Sequence, residues 1–154
     1  MKLLTAAIPC YNSAAYMRKA IESLLVGGED VEIIIVNDGS KDETATIAEE
    51  YVTRYPTIVK AINKENGGHG SAVNTGLQYA TGMYYKVVDS DDWLDEEALR
   101  KVLKVLKEMS AEGTYIDMFI ANYVYEKVHE NKQKVINYTS ALPQQKIFTW
   151  DVTI

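Results

Sequence analysis

Asp89 and Asp91 stand two residues apart at the end of the apolar run Met83 to Val88. In an extended strand, residues two apart point the same way, so these two carboxylates are expected to aim at one point. Held that close, they repel each other unless a cation lies between them or one takes a proton. A hard divalent ion resolves the conflict, because it accepts one or two carboxylates together with the oxygens of a phosphate-bearing substrate. Asp95, Glu96 and Glu97 have a simpler explanation, since acids favour the positive end of a helix. From Asp89 to Glu97 there are six acids and no base, whereas the whole 154-residue chain has 22 acids, 16 bases and a net charge of −6. The net charge is therefore this one cluster, and no basic surface for nucleic acid accompanies it.

Three other segments carry polar or glycine residues after an apolar run: Pro9-Cys10-Tyr11-Asn12, Asn37-Asp38-Gly39-Ser40 and Asn66-Gly67-Gly68-His69-Gly70. Tyr11 offers an aromatic face to a planar base, and Asp38 offers an acceptor to a base N–H. Read singly, Tyr11 is as easily a surface aromatic and Asp38 a turn residue. Glycines ahead of a helix let backbone N–H groups approach an anion. They do not form a P-loop, for no Gly-Lys-Ser or Gly-Lys-Thr occurs, nor a dinucleotide fingerprint, because Val73 stands where the third glycine belongs. An EF-hand counted from Asp89 fails at Trp93, Leu94 and Arg100. Asp89-Ser90-Asp91 also matches, loosely, the nucleophile segment of an aspartyl-phosphate phosphatase, which is a minor alternative. Cys10 has no local signature pairing it with His69 or His129, and as the single cysteine it excludes an intramolecular disulfide.

The elements that must position these segments follow from periodicity. Leu3 to Ile8, Val31 to Val36, Ile58 to Ile62 and Met83 to Val88 are short apolar runs that read as strands. Between and after them, helical spacing starts at Ser13, at Ser40 or Asp42, before Ala72 and at Asp95, where these polar side chains are expected to act as caps. The result is a β-α-β-α-β-α-β-α order, an α/β class with an open, mostly parallel sheet flanked by helices. In such sheets ligands bind beyond the carboxyl ends of the strands, where all four polar segments fall. Further along, Tyr115 to Lys127 and Lys132 to Tyr138 are expected as additional C-terminal strands forming a hairpin, with Lys146 to Trp150 as a last one.

The order Ile8-Pro9-Cys10-Tyr11-Asn12, Asn37-Asp38-Gly39-Ser40-Lys41-Asp42, Asn66-Gly67-Gly68 with Asn74-Thr75-Gly76, and Asp89-Ser90-Asp91-Asp92 resembles that of family 2 glycosyltransferases of the GT-A fold. The resemblance covers about residues 3 to 110. It implies a Rossmann-like sheet and an inverting transferase that moves a sugar from a nucleotide diphosphate donor, usually a UDP-sugar, to a glycan or lipid-linked acceptor in cell-envelope polysaccharide biosynthesis. Carried over by residue, it implies that Pro9, Tyr11 and Asp38 hold the base and that Gly67 and Gly68 lie over the donor. Asp89, Ser90 and Asp91 would form the DxD segment, with Asp89 near ribose and metal and Asp91 the main ligand of Mg²⁺ or Mn²⁺. Val73 departs from the arginine many members carry there. No segment after residue 110 matches the family's catalytic base; Glu126, Glu130 and Asp151 lie outside any matching motif.

These readings divide the chain into a donor-binding region, 1–110, and the start of an acceptor-binding region, 111–154, that is expected to be truncated. The alternative from another class is a catalytically inert module that binds a nucleotide sugar. No apolar run approaches the roughly 20 residues of a membrane span. A cytoplasmic location is expected, with peripheral contact at the inner membrane face if the acceptor is lipid-linked.

Overall fold

The computed structural model describes residues 1–127 and 132–149. The chain forms two compact units, Met1–Glu112 and Gly113–Ile154.

In the first unit the elements run β1 (Leu4–Cys10), α1 (Met17–Leu25), β2 (Val31–Asp38), α2 (Thr44–Arg54), β3 (Val59–Lys64), α3 (His69–Tyr79), β4 (Tyr84–Val87) and α4 (Glu96–Ala111). Four parallel strands pair in the order β3-β2-β1-β4. The strand order reverses between β1 and β4, so the crevice beyond their carboxyl ends is the expected ligand position. Every residue of β1 and β2 is buried, which is why both read as continuous apolar runs.

The two faces of β2 are covered differently. Val31, Ile33 and Ile35 join Met17, Ile21 and Leu24 of α1, Ile47, Ala48 and Tyr51 of α2, and Leu99 and Leu103 of α4 in the main core. Ile34 and Val36 face Ala72 of α3 in a smaller cluster. Glu32 interrupts the apolar run on that second face. Its buried carboxylate accepts hydrogen bonds from Thr5 Oγ1 (2.6 Å), Lys60 Nζ (2.7 Å), Thr81 N (2.8 Å) and Thr81 Oγ1 (2.9 Å), tying β1, β2, β3 and the segment before β4 together at the amino ends of the strands.

Several expected caps differ. Asp95 does cap α4, accepting from Ala98 N at 2.8 Å. Ser13 does not cap α1, because its hydroxyl accepts from Tyr11 N (3.2 Å) and meets Ser90 instead. Asp42 precedes α2 without occupying its cap, since the carboxylate receives Thr44 N (3.0 Å) and Ala14 N (3.0 Å).

In the second unit β5 (Tyr123–Lys127) and β6 (Lys132–Ile136) form the expected antiparallel hairpin. The first strand is shorter than anticipated, as 115–122 are not strand, and 146–149 are not strand either. His129, Glu130, Trp150 and Asp151 lie outside the described residues. Among the described residues, no helix is long and apolar enough to cross a membrane.

Candidate functional site

The four segments singled out by residue type meet at the carboxyl rim of the sheet and are linked in a ring. Between the loops after β1 and β2, Asn12 N donates to Ser40 Oγ (2.9 Å), Lys41 N to Asn12 Oδ1 (2.8 Å), Ser13 N to Thr44 Oγ1 (2.8 Å) and Ala14 N to Asp42 Oδ2 (3.0 Å). Asn12 takes a left-handed backbone with φ 51°, a conformation asparagine tolerates better than most residues. Asp42 lies below the usual carboxylate range: burial pushes it up, and hydrogen bonds from the Thr44 hydroxyl, Ala14 N and Thr44 N more than reverse that.

Between the loops after β2 and β3, Asp38 is the joint. Its buried carboxylate accepts from Lys64 Nζ (2.6 Å), Gly67 N (2.9 Å) and Gly68 N (2.8 Å), while its backbone carbonyl accepts from Asn66 Nδ2 (2.9 Å). Burial raises the Asp38 pKa, but Lys64 and the two glycine N–H groups outweigh it and the carboxyl is held below its ordinary value. Two backbone positions permit this closure. Gly39 sits at φ +72° with Asn66 N only 2.8 Å from where a Cβ would lie, and Gly68 turns the chain into α3 at φ +84°.

The turn after β4 closes the ring. Ser13 and Ser90, both buried, share a hydrogen bond of 2.9 Å across the β1/β4 crevice. His69, the first residue of α3, places Nε2 3.7 Å from Asp89 Oδ1, an electrostatic contact too long for a hydrogen bond.

Asp89 and Asp91 do not lie on the extended strand end that was expected. Strand β4 ends at Val87, and Asp92 N donates to Asp89 O at 2.9 Å, so residues 89–92 form a turn and do not continue the extended strand. Asp89, Asp91 and Asp92 are all exposed while Ser90 points inward. Burial raises the Asp92 pKa, and the charges of Asp91 and Asp89 raise it further against a smaller opposing effect of Lys86. Among the described residues, no three His, Cys, Asp or Glu side chains gather into a complete metal cage. The donors present are hard carboxylate oxygens on an open turn, a set whose chemistry fits a hard divalent ion such as Mg²⁺ or Mn²⁺.

The other candidate residues are placed as follows. Tyr11 is 51% exposed beside the Asp38 loop's partners Asn12 and Ser13, so its ring is open to a ligand. Pro9 is buried within β1, paired in register with Val36. Gly67 and Gly68 are exposed. Cys10 is fully buried, which pushes its thiol up to about 12 and leaves no thiolate for nucleophilic work.

A scan of the chain against family descriptions matches Glycosyl transferase family 2 over residues 5–151. The chain belongs to that family. Its relatives include the minor teichoic acid biosynthesis protein GgaB of Bacillus subtilis, 39% identical over 66% of this chain and 12% of GgaB. Glycosyltransferase GlyA of Streptococcus pneumoniae is 32% identical over 83% of this chain and 20% of GlyA. Among solved structures, Staphylococcus aureus TarS 1-349 in complex with UDP-GlcNAc superposes with a TM-score of 0.62 at 31% identity, covering 71% of this chain and 32% of TarS 1-349. The family 2 chain thus spans a third or less of each of these proteins.

Sequence reasoning missed Lys64, Ser13 and Thr44 as builders of the site. Lys64 left no signal in the sequence: it stands opposite Asp38 only once β2 and β3 are set in parallel register.

Proposed function

We propose that this chain is the donor-binding part of an inverting glycosyltransferase that takes a sugar from a nucleotide diphosphate, with a uridine nucleotide as carrier, and passes it to a glycan or lipid-linked acceptor. The observation that carries the reading is the ring of contacts joining all four loops, which holds an exposed aromatic, a buried carboxylate, a glycine loop and an acidic turn on one rim.

In this reading the Tyr11 ring stacks on the base and Asp38 accepts a base N–H. The exposed Gly67-Gly68 segment approaches the donor, and α3 begins there with its positive end toward the anion. Ser90 fixes the acidic turn to β1 through Ser13, so that the exposed carboxylates of Asp89 and Asp91 are held toward the diphosphate. Those two residues would hold Mg²⁺ or Mn²⁺, and the ion would supply Lewis-acid neutralisation of charge on the leaving diphosphate. The binding of UDP-GlcNAc by TarS supports a uridine donor here, and the role of GgaB in teichoic acid biosynthesis supports a cell-envelope acceptor. A place at the inner face of the membrane would follow from a lipid-linked acceptor.

The test is calorimetric titration of UDP into the 154-residue chain with and without Mn²⁺. Binding is expected with the ion, weakened by at least about tenfold on its removal or in Asp91→Ala, the loss of one charge-assisted contact. Binding indifferent to both changes would overturn the metal assignment, and no UDP binding at all would overturn the donor assignment.

A further inference from the structure

Asp38 has less freedom to bind a ligand than an exposed carboxylate would. Each carboxylate oxygen offers about two lone-pair sites. Among the described residues, Oδ1 is filled by Lys64 Nζ at 2.6 Å and Gly67 N at 2.9 Å, while Oδ2 receives only Gly68 N at 2.8 Å. Only 4% of the side chain is exposed. A ligand therefore meets one remaining acceptor position, on Oδ2.

Lys64 is what fixes that arrangement. Its ammonium also donates to Glu65 O at 2.6 Å, so it is held in place by the loop it helps to close. The other lysine of β3, Lys60, is engaged with Glu32 at the opposite end of the strand and cannot take over. The cation on Oδ1 and the two backbone N–H groups favour the ionised carboxylate, whose remaining lone pair on Oδ2 can only accept.

We propose that Lys64 is a positioning residue that makes Asp38 a single, acceptor-only contact, and that this selects a uracil nucleotide over a cytosine nucleotide. The two bases have the same size and stack alike, but uracil N3 carries a proton and cytosine N3 carries a lone pair. Opposite an acceptor-only oxygen on a side chain that is only 4% exposed, uracil donates a hydrogen bond. Cytosine sets lone pair against lone pair and leaves both groups unsatisfied. Without Lys64 the two glycine N–H groups still hold the carboxyl, but the cation that favours its ionised form is gone, so it can take a proton on Oδ2 and donate to cytosine N3. The inference rests on reading Asp38 as the nucleobase contact.

The test compares UDP and CDP binding by calorimetry in the presence of Mn²⁺ for the unsubstituted chain, Lys64→Met, Lys64→Gln and Lys64→Arg, each confirmed folded by its thermal transition. The unsubstituted chain should prefer UDP by about 100-fold or more, as expected of a buried site built to hydrogen-bond its ligand. That preference should fall by about tenfold or more in Lys64→Met and be largely retained in Lys64→Arg, the scale of one charge-assisted hydrogen bond. Lys64→Gln leaves a neutral donor beside Asp38 and carries the same readout should the Met variant not fold. If Lys64 only braced the loop, both affinities would fall together and the ratio would stay constant, which overturns the inference while leaving the donor site standing. No UDP binding by the unsubstituted chain would remove the donor site and the inference with it.

Discussion

Two buried carboxylates on β2 sit at opposite ends of one strand and do different work. Asp38 gathers a loop at the carboxyl rim, whereas Glu32 braces the amino ends of the strands and touches nothing in the site. Burial pushes Glu32 up, but Lys60, Thr5 and Thr81 pull harder and lower it from 4.5 to about 2. A depressed carboxylate contributes stability that is present above its unfolded value and lost as pH falls through its folded one. That contribution should therefore disappear between about pH 4.5 and 2, and a depression of this size corresponds to about 3 kcal/mol. Glu32→Gln should be less stable than the unsubstituted chain by about that amount at pH 7, the gap narrowing as pH drops through the window; urea unfolding at a series of pH values measures it. A gap independent of pH would contradict the assignment. At this scale residue type alone was informative where chemistry is unusual for its surroundings. Asp89 and Asp91 stood out for that reason, while Glu32 was hidden inside a run that otherwise reads as apolar on both faces.

Among the elements, strands were more legible than their connections. Val31 to Val36 identifies β2 because both faces are buried and every position is apolar except Glu32. Caps were less legible: Ser13 and Asp42 have the right residue types, but the distant partners Ser90 and Ala14 and the neighbouring Thr44 claim their side chains. The acidic segment was located correctly and its geometry was not, since a turn at 89–92 replaces the extended strand end. Loop closure depends on glycine at a position where alanine meets both a left-handed φ and a backbone N–H 2.8 Å away, at Gly39. Gly39→Ala should destabilise the fold by about 1 kcal/mol or more and weaken UDP binding, because Asn66 must move. A denaturation midpoint unchanged from that of the unsubstituted chain would show that this approach is not required.

At the scale of the molecule, the parallel order β3-β2-β1-β4 places four polar loops on one rim, and the Ser13–Ser90 pair spans the reversal between β1 and β4. The rim is the shared product of pieces that are far apart in sequence. Their convergence was legible from the strand–helix alternation, but Lys64 and the ring of contacts were not, because parallel register is invisible until strands are aligned. The −6 charge is likewise a local property, carried by the acidic turn and the first turn of α4. The proposed function places a nucleotide diphosphate on this rim, with the base at Asp38 and the diphosphate at Asp89 and Asp91. A crystal structure of the chain grown with UDP and Mn²⁺ tests that placement directly. The uracil ring is expected against Tyr11 with N3 donating to Asp38 Oδ2, and the ion between the diphosphate and the Asp91 carboxylate. Nucleotide bound away from this rim, or bound here with its base remote from Asp38, would contradict it.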